Sequence, residues 1–226
     1  MNNFILPLAV LFLSAISFFL MLRDREKNPV REGAPVDQEK LQGMEKPMMI
    51  YSIIMVAITC AIAFMLPKWF PDNGFFHNMK RVMLLCVIWP IAYIDYVTYR
   101  IPNTFILFGL ICRVVLLPFE FLFNADAALP NLIGEAITAG ALFVASMLCA
   151  ICVKGSIGYG DIKLFVVMGL LLGMAATWSA IFTSLLICLV VSLVLLATKK
   201  KNRKDVIPFG PEIVIGTFIS VCLTGM

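Results

Sequence analysis

The sequence predicts an all-α, polytopic integral membrane protein, on three observations. Of its 226 residues 61% are hydrophobic and 14% charged, well above the roughly 45–50% apolar share of a soluble domain. The apolar residues gather into eight runs, most of them near the ~20 residues that span a bilayer as a helix. The basic residues collect in alternate connections between those runs, as retained cytoplasmic charge does.

The runs are Phe4–Leu22, Met48–Leu66, Val82–Tyr99, Thr104–Phe123, Leu132–Val153, Ile162–Ala176, Trp178–Thr198 and Val206–Met226. The first is expected to be a retained helix, because Met1-Asn2-Asn3 carries no basic residue and arginines, not a small-residue cleavage site, follow the run. Residues 23–47 form a polar cytoplasmic linker, rich in both charges and too short to bury a core. The third run contains Pro90 and Asp95, and the sixth is about fifteen residues long, short of the ~17 a span usually needs. Residues 82–226 are read as the functional core of a single membrane domain, residues 1–226.

An N-out, C-out arrangement assigns fourteen of the eighteen basic residues to cytoplasmic connections. Lys68, Lys80 and Arg81 fall outside, and Arg113 falls within the fourth run. The net charge of +4 reflects these loops, so nucleic-acid binding is not expected. All seven cysteines lie in apolar runs as small fillers. Cys149 and Cys152 have no second C-x-x-C, and the single histidine, His77, is placed in an external loop. A zinc site is therefore not expected.

Two acids stand where acids are expensive. An ionisable group at membrane depth costs at least ~2.5–3.5 kcal/mol by insertion scales, and the default reading is functional. Asp161 lies in Gly158-Tyr159-Gly160-Asp161-Ile162-Lys163, and Asp95 precedes Ile101-Pro102-Asn103. Pro102 breaks the helix and Asn103 or Thr104 restarts it. Counted from Arg81, Asp95 is about 21 Å along its helix; counted from Thr177, Asp161 is about 24 Å along its own. Both therefore fall a few ångströms below one membrane face. Gly158 and Gly160 are expected to supply positive φ and close backbone approach. The alternative for Asp161 is a simple helix N-cap. Pro208, Gly210 and Pro211 interrupt the start of the last run, and irregular backbone at depth lines protein or a wet cavity.

Two carboxyls facing one another in a low-dielectric pocket titrate as a unit with one proton retained. Such a pair supports peptide hydrolysis by general acid and base.

Asp95 with Ile101-Pro102-Asn103, Gly158-Tyr159-Gly160-Asp161-Ile162-Lys163, and Ile207-Pro208-Phe209-Gly210-Pro211 together resemble the type IV prepilin peptidase family of G-x-G-D intramembrane aspartyl proteases. The resemblance implies catalytic Asp95 and Asp161, no cofactor, and a prepilin or pseudopilin substrate whose basic leader is cut at the cytoplasmic face of a bacterial-type cytoplasmic membrane. It also implies a pocket supported by Gly158, Gly160, Lys163, Pro102, Asn103, Pro208, Gly210 and Pro211. Glu212 departs from the apolar or aromatic residue usual after the proline motif, and is expected either to repel the dyad's charge or to pair with Lys163. Arg100 reads as a topology anchor. The two C-x-x-C pairs of family members that also N-methylate are missing from Arg23–Lys46, so peptidase activity without methyltransferase is expected.

Two other readings stand beside this one. A presenilin-like protease shares G-x-G-D but carries a C-terminal proline-alanine-leucine motif that is not matched here. A carrier or assembly component could use the two acids to bind protons or cations; no internal repeat supports a duplicated transporter fold.

Overall fold

The computed structural model describes residues 2–27, 45–153, 157–199 and 207–224. All regular structure among them is helical: α1 (Asn2–Lys27), α2 (Glu45–Trp69), α3 (Phe75–Thr98), α4 (Asn103–Phe123), α5 (Ala125–Cys152), α6 (Tyr159–Ala197) and α7 (Gly210–Leu223). Six of these are long and apolar enough to cross a membrane, α6 counted once, and α7 is a shorter apolar helix.

The bundle is built around α3. Its most apolar stretch is 83% buried, against 17–39% in the other five long helices, and α3 packs on α1, α2, α4, α6 and α7. Side-chain hydroxyls join it to its neighbours where an apolar helix offers only carbonyls. Ser17 of α1 donates to the Cys86 carbonyl at 2.7 Å, and Tyr51 of α2 to that of Trp89 at 2.9 Å. The outward faces of α1, α2 and α4 to α6 carry exposed Leu, Ile, Val and Phe, as a surface solvated by lipid requires.

At 39 residues, α6 would be about 58 Å long if straight, nearly twice a hydrocarbon core of ~30 Å. It is broken at Gly173, whose φ of 72° and ψ of −171° lie outside helical space in a region essentially confined to glycine. The hydroxyl of Thr177 donates to the Met168 carbonyl at 3.2 Å. Nine residues of straight helix would separate those residues by about 13 Å, so the chain folds back on itself at Gly173. The two expected helices are therefore present, parted at Gly173 rather than at Thr177. The second half then packs on α7 closely enough that a Cβ on Gly216 would lie 2.6 Å from the Ser184 nitrogen, and Ser220 donates to the Ala176 carbonyl at 2.9 Å.

The structure corrects the start of the third helix. It begins at Phe75, not Val82, so His77, Lys80 and Arg81 are helical and not in an external loop. Lys80 and Arg81 are 3% and 0% exposed. The physical reason is a buried charge cluster that hydropathy along one helix cannot reveal. Lys80 bridges Glu120 of α4 at 3.1 Å and Glu135 of α5. Arg113 of α4 donates to Glu120 at 2.8 Å and twice to Glu135, at 3.0 and 2.6 Å. Two cations and two carboxylates thus neutralise one another, while Arg81 stacks over the Phe70 ring at 5.4 Å.

The polar linker is also shorter than expected. α1 runs on to Lys27 and α2 begins at Glu45, while residues 28–44 lie outside the described residues, as do 200–206 and 225–226. α7 starts at Gly210, after the non-helical Ile207 and Pro208 that the proline motif predicts.

Candidate active site

Asp95 lies in the last turn of α3. The helix ends because Tyr99 takes a left-handed conformation, φ 54° and ψ 36°, with its N–H returning to the Asp95 carbonyl. Pro102 then cannot donate within a helix, and α4 restarts at Asn103, as expected. Asp95 is 6% exposed, and its Oδ2 accepts the backbone N–H of Gly210 at 2.7 Å. Gly210 opens α7, so the carboxylate occupies the positive end of that helix. A Cβ on Gly210 would stand 2.8 Å from the Asp95 Cβ and 2.9 Å from its Oδ2. Glycine is what lets the two chains meet.

Asp161 lies in the first turn of α6, half-buried. Its Oδ2 accepts the Gly158 N–H at 3.2 Å, the return bond of a capping arrangement, so the simple capping role is physically present. A Cβ on Gly158 would lie 2.9 Å from that oxygen. Gly160 serves a different contact: its Cβ would lie 2.9 Å from the Cβ of Ile101. The glycine-flanked segment is thereby pressed on the turn that follows Asp95. Neither glycine uses positive φ, contrary to expectation; among the described residues only Gly173 does so as a glycine. Close approach alone accounts for Gly158 and Gly160.

Further contacts bind the three segments at one end of the bundle. Lys163 donates to the Asn103 side chain at 2.9 Å, which replaces the alternative pairing with Glu212. Phe165 meets Phe209 edge to face, ring centres 6.3 Å apart. Glu212 is buried two residues beyond Gly210, in electrostatic reach of Asp95. Pro102 is buried, while Pro208 and Pro211 are half-buried on the approach to α7.

Asp24 is a residue that sequence reasoning placed in the linker. It is 4% exposed near the end of α1 and forms an ion pair with Arg100, the residue before Ile101. Arg100 is thus tied into the fold of the turn rather than only marking a membrane margin. The available signal was an acid immediately after an apolar run, with a basic residue beside the motif it braces.

Comparison with known proteins bears on these same segments. The family model described as Type IV leader peptidase family matches residues 82–193, a range that holds Asp95, Ile101-Pro102-Asn103 and Gly158 to Lys163. A prepilin leader peptidase/N-methyltransferase of Bacillus subtilis (strain 168) is 30% identical over 143 residues, covering 62% of this chain and 53% of that protein. The chain thus spans about half the length of the curated relative it matches. No solved structure matches it. With the two motif-bearing segments inside the matched range and packed together in the fold, the chain is similar to the type IV leader peptidase family over residues 82–193.

Proposed function

We propose that this chain is an intramembrane aspartic endopeptidase in which Asp95 and Asp161 form the catalytic pair. Its substrates are type IV prepilins or pseudopilins, whose basic leader it removes at the cytoplasmic face of the cytoplasmic membrane, with both termini on the outer side. The observation that carries this reading is the packing of Gly160 on Ile101. That contact brings the segment bearing Asp161 against the turn that follows Asp95.

In this reading the ionised carboxylate removes a proton from water as the water oxygen adds to the scissile carbonyl carbon. The protonated carboxyl gives its proton to the carbonyl oxygen. Collapse of the tetrahedral adduct breaks the C–N bond as the proton taken from water passes to the leaving nitrogen, and the proton lent to the carbonyl oxygen returns to the carboxyl that gave it. The Gly210 N–H holds Asp95 in place, and Lys163 with Asn103 fastens the start of α6 to that of α4, so both acids are positioned before substrate arrives. The missing cysteines of Arg23–Lys46 support a peptidase that does not methylate its product.

Purified protein in detergent tests the proposal with a substrate carrying a basic leader followed by an apolar helix. Cleavage at the leader junction, read by mass spectrometry, with no methyl transfer from S-adenosylmethionine, is the expected result. An intact substrate together with proton- or cation-coupled flux in liposomes would replace the peptidase with the carrier reading.

A further inference from the structure

Glu212 is a third acid at the proposed site, and the family motif does not account for it. Its side chain is 5% exposed, and Oε2 has no hydrogen-bond partner among the described residues. The groups that face it are Asp95 from α3 and Cys188 from the second half of α6. Within α7 the only other titratable side chain among the described residues is Cys222, beside Arg81. Nearby cations are engaged elsewhere: Arg100 with Asp24, and Lys163 with Asn103.

Each of the three carboxyls accepts a backbone N–H, that of Glu212 coming from its own residue. Asp95 accepts the Gly210 N–H and Asp161 the Gly158 N–H. A protonated carboxyl can still accept through its other oxygen, so what distinguishes Glu212 is the buried oxygen left over. Glu212 Oε2 receives no donor from the described residues, and a buried carboxyl oxygen without a donor is satisfied only as an O–H that can itself donate. Peptide hydrolysis by paired carboxyls needs one proton kept in the site. We propose that Glu212 holds that proton and shares it with Asp95, acting as a positioning residue for the proton rather than as a group that touches the substrate.

This inference rests on the proposed peptidase reading for its kinetic arm, and on the fold alone for its spectroscopic arm. The alkaline limb of the kcat/KM profile reports loss of the last proton from the site. Removing the carboxyl that holds it leaves a weaker holder, so the proton departs at lower pH. The experiment compares the full chain with Glu212→Gln, Glu212→Asp and Glu212→Leu in detergent.

In Glu212→Gln and Glu212→Leu the alkaline limb is expected to move down by about one pH unit. Activity at the wild-type alkaline half-maximum would fall about fivefold, and Glu212→Asp would restore most of it. Infrared difference spectra should show a protonated-carboxyl C=O band that persists in the wild type and in Glu212→Asp to a pH about one unit above that at which both non-acidic variants lose it. An infrared band that persists in Glu212→Gln to the same pH as in the wild type, or a limb that stays in place in a folded Gln or Leu variant, overturns the proposal. If the wild type cleaves no leader, the peptidase reading fails by itself, and the infrared band still decides where the proton resides.

Discussion

The backbone N–H of Gly210 donates to Oδ2 of Asp95 at 2.7 Å, joining residues 115 positions apart in sequence. This bond sets the C-terminal end of α3 against the first turn of α7. It also explains why the proline motif carries glycine at position 210, where any Cβ would meet the Asp95 side chain at 2.8 Å.

Gly210→Ala is therefore expected to force Asp95 and α7 apart. Alanine is the better helix former by about 1 kcal/mol, so stability should change little while kcat/KM falls at least tenfold. Gly160→Ala, directed at Ile101, should behave in the same way. Parallel detergent unfolding and cleavage assays check both, and full activity in a folded Gly210→Ala protein would show that the close approach is dispensable.

Asp24 and Arg100 should act as one unit on the turn that holds Ile101. Alanine at either position is expected to lower kcat/KM, and the double variant should be no worse than the weaker single, a coupling of about 1–3 kcal/mol. The exchange of Asp24→Arg with Arg100→Asp should recover part of the loss. A double-mutant cycle read in kcat/KM measures this, and strictly additive losses would dissolve the pair.

The cluster of Lys80, Arg113, Glu120 and Glu135 should govern stability instead. Lys80 is fifteen residues before Asp95 on α3, about 22 Å along the helix. Arg113→Ala leaves two buried carboxylates with Lys80 as their remaining partner in the cluster, and removing one member of a buried ion pair costs about 3–5 kcal/mol. Unfolding in detergent should show that loss, with kcat and KM of the folded fraction unchanged.

Much of the helical architecture follows from apolar run length alone. The turn at Tyr99 to Pro102 follows from proline chemistry, and the irregular approach to α7 from Pro208 and Gly210. What could not be read were features that depend on partners distant in sequence. Lys80 and Arg81 looked like the edge of a helix because the acids that neutralise Lys80 lie 40 and 55 residues further on. Thr177 looked like the break in α6, although the fold-back is at Gly173, where backbone geometry and not polarity decides. Around the proposed site the motif residues were legible, but the purpose of each glycine was not: close approach depends on which chain passes alongside. Asp24 was hidden for the same reason, since its partner is 76 residues away.

The most direct test of the account is cleavage of a prepilin-like substrate by purified Asp95→Asn and Asp161→Asn proteins, each with its unfolding profile. Both variants should lose activity by about 10²–10⁴-fold, the range for a positioned acid or base, while retaining the wild-type fold. Cleavage at the wild-type rate by either folded variant would contradict the pairing of Asp95 with Asp161.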